Sequence, residues 1–288
     1  MTRPIRLRCL PALILLLALG GCASTPAAPL LWRAGLWCGG SAAQHRAAQA
    51  NAASLASLPI EPFGRAETGW AIYAPTIQRD VAVRCAPQRP GFAGALSRWQ
   101  ANQALPATGV FDTVSLGRLK AGWQARRPFV AVRAQGICPS PPAEADLAAA
   151  RPEETLGKTV RLRPGALAAY RRMVAAARED NPGLVGDPDA LKLFSGYRNP
   201  AEDEARCAAE ANCQGVVRAA CSAHRTGLAL DLGVGAAPGF MADSSADANR
   251  LFQSRTPAYR WLVRNAGRFG FVNYVFEPWH WEWTGEGP

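Results

Sequence analysis

The sequence predicts an α+β fold: an antiparallel sheet with flanking helices that carries a metal site, preceded by a small, mainly helical domain. Three observations predict it. In the C-terminal half, helical stripes such as Leu167, Tyr170, Val174 and Ala177 interleave with short alternating segments, without the regular repeats of a parallel sheet. Two of the chain's three histidines, His224 and His280, stand in such segments beside carboxylates. Upstream, Leu96 and Trp99, then Leu116, Leu119 and Trp123, recur at helical spacing on either side of a turn at Pro106 to Gly109.

In chain order, residues 1–21 combine Arg3, Arg6 and Arg8 with an apolar run from Leu10 to Leu19 and small residues before Cys22. That pattern describes an export signal, and the run is too short to span a membrane. The L-G-G-C ending resembles a bacterial lipobox. The resemblance implies that Cys22 is lipidated, and Ala23 after it fits sorting to the periplasmic face of the outer membrane. Residues 22–60 read as tether and lead-in, with one alanine-rich helix around 42–56 whose apolar stripe is weak, and His45 is given no role.

Residues 61–138 read as two amphipathic helices joined by a compact loop. The stretch L-P-A-T-G-V-F-D between them resembles the small helical peptidoglycan-binding domain, which implies attachment to the cell wall; a helical hairpin that only packs on the catalytic domain would show the same leucine spacing. Residues 139–157 are proline-rich and polar, without an evident buried face, and read as a linker.

From 158 to 288 the elements sharpen. Pro164 fits a first helical turn, and Asn181-Pro182-Gly183 ends that helix. Ala190 to Phe194 alternates into a short strand that delivers Ser195 to Arg198. Asn199 and Pro200 cap and start the next helix, whose first turn carries Glu202, Asp203 and Glu204 where the dipole favours negative charge. Thr256-Pro257 opens another helix, stopped near Gly267.

The segment S-A-H-R-T-G-L-A-L-D, 222–231, places His224 in a lead-in loop and Asp231 on the face of a strand opposite Leu228, Leu230 and Leu232. The second segment, F-V-N-Y-V-F-E-P-W-H-W-E-W, reads as a strand interrupted at Pro278, and a bulge there would aim Glu277 and His280 into one space. Two imidazoles and a carboxylate suit zinc, and three protein ligands leave the fourth position for water. A nearby unligated carboxylate can then take the proton of that water. Glu277 is one candidate; Glu282 shares a face with His280 by strand period and rivals it.

These residues resemble the zinc D-alanyl-D-alanine carboxypeptidases of the VanY and VanX type, within the wider group that includes lysostaphin-like peptidases and the hedgehog signalling domain. S-x-H-x-x-G-x-A-x-D followed by E-P-W-H-x-E-W carries the likeness, over roughly residues 155–288. It implies one zinc per chain held by His224, Asp231 and His280, with Glu277 as the base. It also implies that Arg198, in the segment Ser195-Gly196-Tyr197-Arg198, binds substrate or stabilises the oxyanion. Arg198 could instead pair with an acid on the adjacent helix. Ser222, Tyr197 and Trp279 are candidate substrate contacts, although Ser222 also suits a loop-shaping role and Trp279 core packing. The implied substrate is a peptidoglycan stem peptide, most simply at its terminal D-Ala-D-Ala bond. An endopeptidase that cuts crosslinks, or a zinc-containing wall-binding protein without turnover, would share the same motifs.

The formal charge of +10 falls to about +7 without the signal arginines. The basic residues are scattered among alanines, so no nucleic-acid patch is expected, and no protein partner is inferable. Six cysteines lie beyond the signal and the lipid site: Cys38, Cys85, Cys138, Cys207, Cys213 and Cys221. An even number in an exported chain suggests disulfides. Three precede the catalytic region and three lie within it, so either one bridge joins the two parts or two cysteines stay free. The last three lack the spacing of a metal knuckle.

Overall fold

The computed structural model describes residues 38–184, 187–209, 213 and 220–287. The signal sequence and Cys22 lie outside the described residues. No described helix is long and apolar enough to cross a membrane.

The N-terminal half is built of short helices. α1 (Ala42–Ser54) starts at Ser41, whose hydroxyl accepts from the Gln44 amide while Gln44 reaches back to the Ser41 amide. Its only buried residues are Ala47, Ala48 and Asn51, and the two alanines pack on Ala93 of α3 (Pro90–Asn102). Asn51 compensates for the weak stripe. Its amide donates to Gly109 O at 2.9 Å and its carbonyl accepts from Phe111 N at 2.7 Å, which pins the turn between α3 and α4 (Thr113–Ala125). α2 (Ala74–Asp80) lies between α1 and α3 in sequence, and α5 (Pro128–Arg133) follows α4. Leu96, Leu116, Leu119 and Trp123 are buried together with Trp70, Tyr73, Phe92 and Phe111, as their helical spacing predicts.

That core is not confined to the N-terminal half. Tyr274, Val275 and Phe276, from the hairpin that carries the E-P-W-H motif, are buried in it. Arg250, fully buried, ties the seam: it donates to Phe276 O at 2.7 Å, to Glu67 at 3.0 Å and to the Tyr73 hydroxyl at 2.7 Å. A cation buried to this depth persists only when paired and hydrogen-bonded.

The C-terminal half centres on a four-stranded antiparallel sheet, in the order β5 (Leu193–Ser195), β6 (Ala229–Leu232), β8 (His280–Trp283), β7 (Phe271–Asn273). Leu228, Leu230 and Leu232 face a core shared with α6 (Pro164–Asp180) and α9 (Pro257–Asn265), which holds Leu167, Tyr170, Met173, Leu262 and Trp281. Both helices begin with the predicted proline. α7 (Pro200–Ala209) is capped by Asn199, which accepts from Glu202 N at 2.9 Å.

Three expectations are modified. The segment around Pro278 is not one bulged strand but a hairpin: β7 ends at Asn273, and residues 274–279 turn back into β8. Pro278 has no amide to donate, so the turn is closed by others, with Glu277 N to Tyr274 O at 2.8 Å and His280 N to Glu277 O at 3.0 Å. The helix at 257 does not run to Gly267; it ends at Asn265, and a 3-10 turn over 266–269 stops at left-handed Gly270. Residues 139–157 do have a buried side. Glu154 and Thr155 are buried, β3 (Ala148–Ala149) pairs with β4 (Arg161–Leu162), and Thr155 bridges Leu193. Composition hid this because the buried group there is a carboxylate, neutralised by Arg151 at 2.7 Å and Arg171 at 2.8 Å.

All six cysteines are paired, as Cys38–Cys85, Cys138–Cys221 and Cys207–Cys213. The second bridge joins the two halves of the chain immediately before Ser222.

Candidate metal centre and cleft

The register of β6 on β8 brings the site together. Asp231 pairs with His280 and Ala229 with Glu282, while Leu230 pairs with Trp281 on the opposite face. With side chains alternating at period two, Asp231, His280 and Glu282 therefore share one face. The Asp231 carboxylate lies 3.0 Å from His280 Nδ1.

His224 arrives from a 3-10 turn, Ala223–Thr226, ended by left-handed Gly227. Its Nδ1 lies 2.7 Å from Gly196 O, which turns Nε2 towards Asp231 at 3.3 Å. Gly196 is buried hard against β4: a Cβ there would stand 2.6 Å from Arg161 O. That close approach is the physical reason for a glycine in the S-G-Y-R segment.

His224, Asp231 and His280 are all buried, and their ligand atoms lie within 4.8 Å of one another. A tetrahedral zinc with bonds of about 2.0–2.1 Å separates its ligand atoms by about 3.3 Å. Both imidazole–carboxylate separations are close to that value, and each imidazole keeps its other nitrogen turned towards an oxygen, Gly196 O or Glu282. The donor set and its geometry thus fit zinc.

Electrostatics separate the two glutamates. Glu277 lines the cleft beside the ligands, 4.0 Å from His280 Nδ1, and its carboxylate makes no hydrogen bond among the described residues. Burial pushes it up to about 7. Glu282 lies behind His280. Burial opposes its ionisation, but Arg127, donating from Nε at 2.8 Å and Nη2 at 2.5 Å, holds it down at about 2. Burial and then the Arg198 charge lower His224, whereas in His280 the opposing effect of burial is outweighed by Asp231 and Glu282, which raise it to about 9. Asp231 is held well below the usual carboxylate range by both imidazoles, against the effect of its burial.

His224, Asp231 and His280 form one wall of a cleft of about 410 Å³. Arg198, Ser222 and Trp279 line it as well; Tyr197 does not, and instead lies beneath the Arg161 guanidinium. Arg198 does make the ion pair that its sequence allows, Nε to Asp203 on α7 at 2.9 Å, and it also donates to Ser195 at 2.8 Å. Ser222 donates to Asp203 at 2.8 Å. A guanidinium has five N–H donors, so Arg198 is held in place with protons left for a ligand.

The facing wall was not anticipated. It comes from the N-terminal half: Arg127, Phe129, Val130, Arg133 and Ala134, on and around α5. Nothing local in the sequence marks these residues, because the partners that place them, Glu282 and the Tyr274 ring 4.1 Å from the Arg127 guanidinium, lie about 150 positions away.

Part of the chain resembles known proteins. The family model of VanY, D-alanyl-D-alanine carboxypeptidase, matches residues 159–286. Those residues belong to the VanY family. The matched span holds the whole ligand set and both glutamates, and it excludes α5. Among solved structures, a zinc complex of a mutant of the vancomycin resistance D,D-pentapeptidase VanY, from a VanB-type resistance cassette, is similar at 22% identity over 51% of this chain and 83% of that one, with a TM-score of 0.30. No curated protein matches the chain. The C-terminal part is therefore a VanY-type peptidase domain of α+β architecture, and residues 38–158 lie outside the family match.

Proposed function

We propose that the protein is a zinc-dependent peptidoglycan stem-peptide hydrolase, a D-alanyl-D-alanine carboxypeptidase, with His224, Asp231 and His280 as ligands and Glu277 as the base. The observation that carries this is the convergence of three buried candidate ligand residues at a cleft wall, beside the largely buried Glu277, whose carboxylate has no hydrogen-bond partner among the described residues.

Zinc bound there would polarise the scissile carbonyl and lower the pKa of its water from about 15.7 towards roughly 7. Glu277 accepts the proton of the attacking water at a carboxylate oxygen. As water adds to the carbonyl carbon and the C–N bond breaks, Glu277 returns that proton to the leaving amine. The remaining N–H groups of Arg198 donate to the developing oxyanion. Trp279 on one wall and Phe129 and Val130 on the other restrict water around the reacting atoms. Glu282 is unsuited to be the base, since it is committed to Arg127 and lies outside the cleft lining.

Because burial sets Glu277 at about 7 and a nearby dication favours the ionised form, the acid limb of kcat/KM belongs at or below about pH 7, with activity rising as Glu277 ionises.

The proposal extends, on sequence alone, to export, a lipid anchor on Cys22 and a wall-binding role for residues 61–138; the paired cysteines support an oxidising compartment. Mass spectrometry of defined muropeptides, digested with zinc and with a Glu277→Ala control, tests the central reading. Loss of one alanine from free pentapeptide stems supports the carboxypeptidase. Conversion of crosslinked dimers to monomers would make the protein an endopeptidase, and no change in either would leave a wall-binding protein.

A further inference from the structure

We propose that Arg127 is a positioning residue of the metal centre: by holding Glu282 against His280 it sets the ligand geometry of the C-terminal domain from the N-terminal half of the chain. This rests on the zinc reading above.

The geometry is direct. Arg127 meets Glu282 through both Nε and Nη2, with both side chains buried, and its guanidinium stacks on Tyr274. Glu282 Oε1 then lies 3.5 Å from His280 Nε2. A proton on Nε2 directed at Glu282 leaves the Nδ1 lone pair for Asp231's side of the site, where the ligand atoms converge. Carboxylate–histidine pairs of this kind fix both the tautomer and the ring angle of a metal-bound imidazole. Without Arg127, Glu282 would be an uncompensated buried carboxylate able to draw His280 out of line.

Stability alone does not account for the pair. The second oxygen of Glu282 is buried without a hydrogen bond among the described residues, which is costly in a purely structural site. Buried ion pairs are often replaceable by apolar residues without loss of stability. Arg127 also begins the wall opposite the ligands, since Pro128 follows it as the first residue of α5. One residue thus connects the cleft's second wall to its metal ligand.

The test uses the full exported chain, with zinc affinity measured by competition against a chromophoric chelator, the visible spectrum of the cobalt(II) form, kcat and KM on a pentapeptide stem, and thermal melting. Arg127→Gln should weaken zinc binding by about 10–100-fold, shift the cobalt bands and lower kcat more than it raises KM. Glu282→Gln should give the same signature, and the two changes together should cost little more than either alone. Because Arg127→Gln leaves the buried Glu282 carboxylate unpaired, the pair Arg127→Met with Glu282→Leu is the second arm. It should restore melting towards wild type while zinc affinity and the cobalt spectrum stay perturbed. Wild-type zinc affinity and cobalt bands in Arg127→Gln, or their recovery together with melting in the apolar pair, would overturn the inference. A wild-type chain that binds no zinc, or a His280→Ala variant that still binds it tightly, would instead remove the zinc reading itself.

Discussion

The two walls of the cleft are built on opposite principles. The sheet wall is local and repetitive: Asp231, His280 and Glu282 share a face because strands alternate and β6 pairs with β8 in one register. The helix wall is placed largely by distant contacts, through Arg127 on Glu282, the Cys138–Cys221 bridge, and the burial of Tyr274 to Phe276 in the N-terminal core. The first wall carries the groups proposed to react, and the second is proposed to hold them in position. The same contrast separates the two glutamates of the hairpin. Glu277 faces the cleft and is pushed up by burial; Glu282 faces Arg127 and is held down.

Experiments can break this division, beginning with the largest effect. Glu277→Gln should keep zinc at one per chain and lower kcat by about 10²–10⁴-fold, since it removes the acid–base group and leaves the ligands. Near-wild-type turnover would place the base elsewhere on the sheet wall. Replacing Cys138 and Cys221 together by serine should lower stability by about 2–4 kcal/mol, read from denaturant midpoints under oxidising conditions. An unchanged midpoint would mean that the helix wall is held without the bridge.

Phe129→Ala should raise KM for a stem peptide by roughly 10-fold with kcat little altered, as expected for lost apolar contact in a pocket. A fall in kcat alone would give the helix wall a part in the chemistry and blur the contrast. The smallest effect concerns pH. Bonding to Arg171, and also to Arg151, outweighs burial and holds Glu154 at about 2, below its ordinary 4.5. Its stabilising contribution is therefore present above pH 4.5 and is lost as pH falls from there through 2. Glu154→Gln should flatten the acid limb of melting temperature against pH in that window; an identical slope would show that this contact contributes nothing to acid stability.

Much of the site was legible in the sequence because its signals are short-range. His224 and Asp231 lie seven residues apart on one turn and strand, Glu277 and His280 lie three apart on one turn, and strand period alone put Glu282 beside His280. The caps at Asn199 and Thr256 were equally local. At Pro278 the sequence suits a bulge as well as a hairpin, because a proline between two alternating runs fits either and only the pairing of β7 with β8 distinguishes them. The buried side of residues 139–157 escaped notice for a related reason: a salt-bridged glutamate is buried without any apolar pattern.

Residue type and period thus marked the candidate residues His224, Asp231 and His280 and the class of chemistry they suit, since coordination needs particular atoms and a strand presents them at fixed intervals. Tertiary structure decided which glutamate is free, which cysteines pair, and what faces the ligands. Apart from the local Cys207–Cys213 bridge, those outcomes depend on energies between groups 47 to 155 residues apart, where sequence order imposes no geometry and burial, charge pairing and register choose the partner.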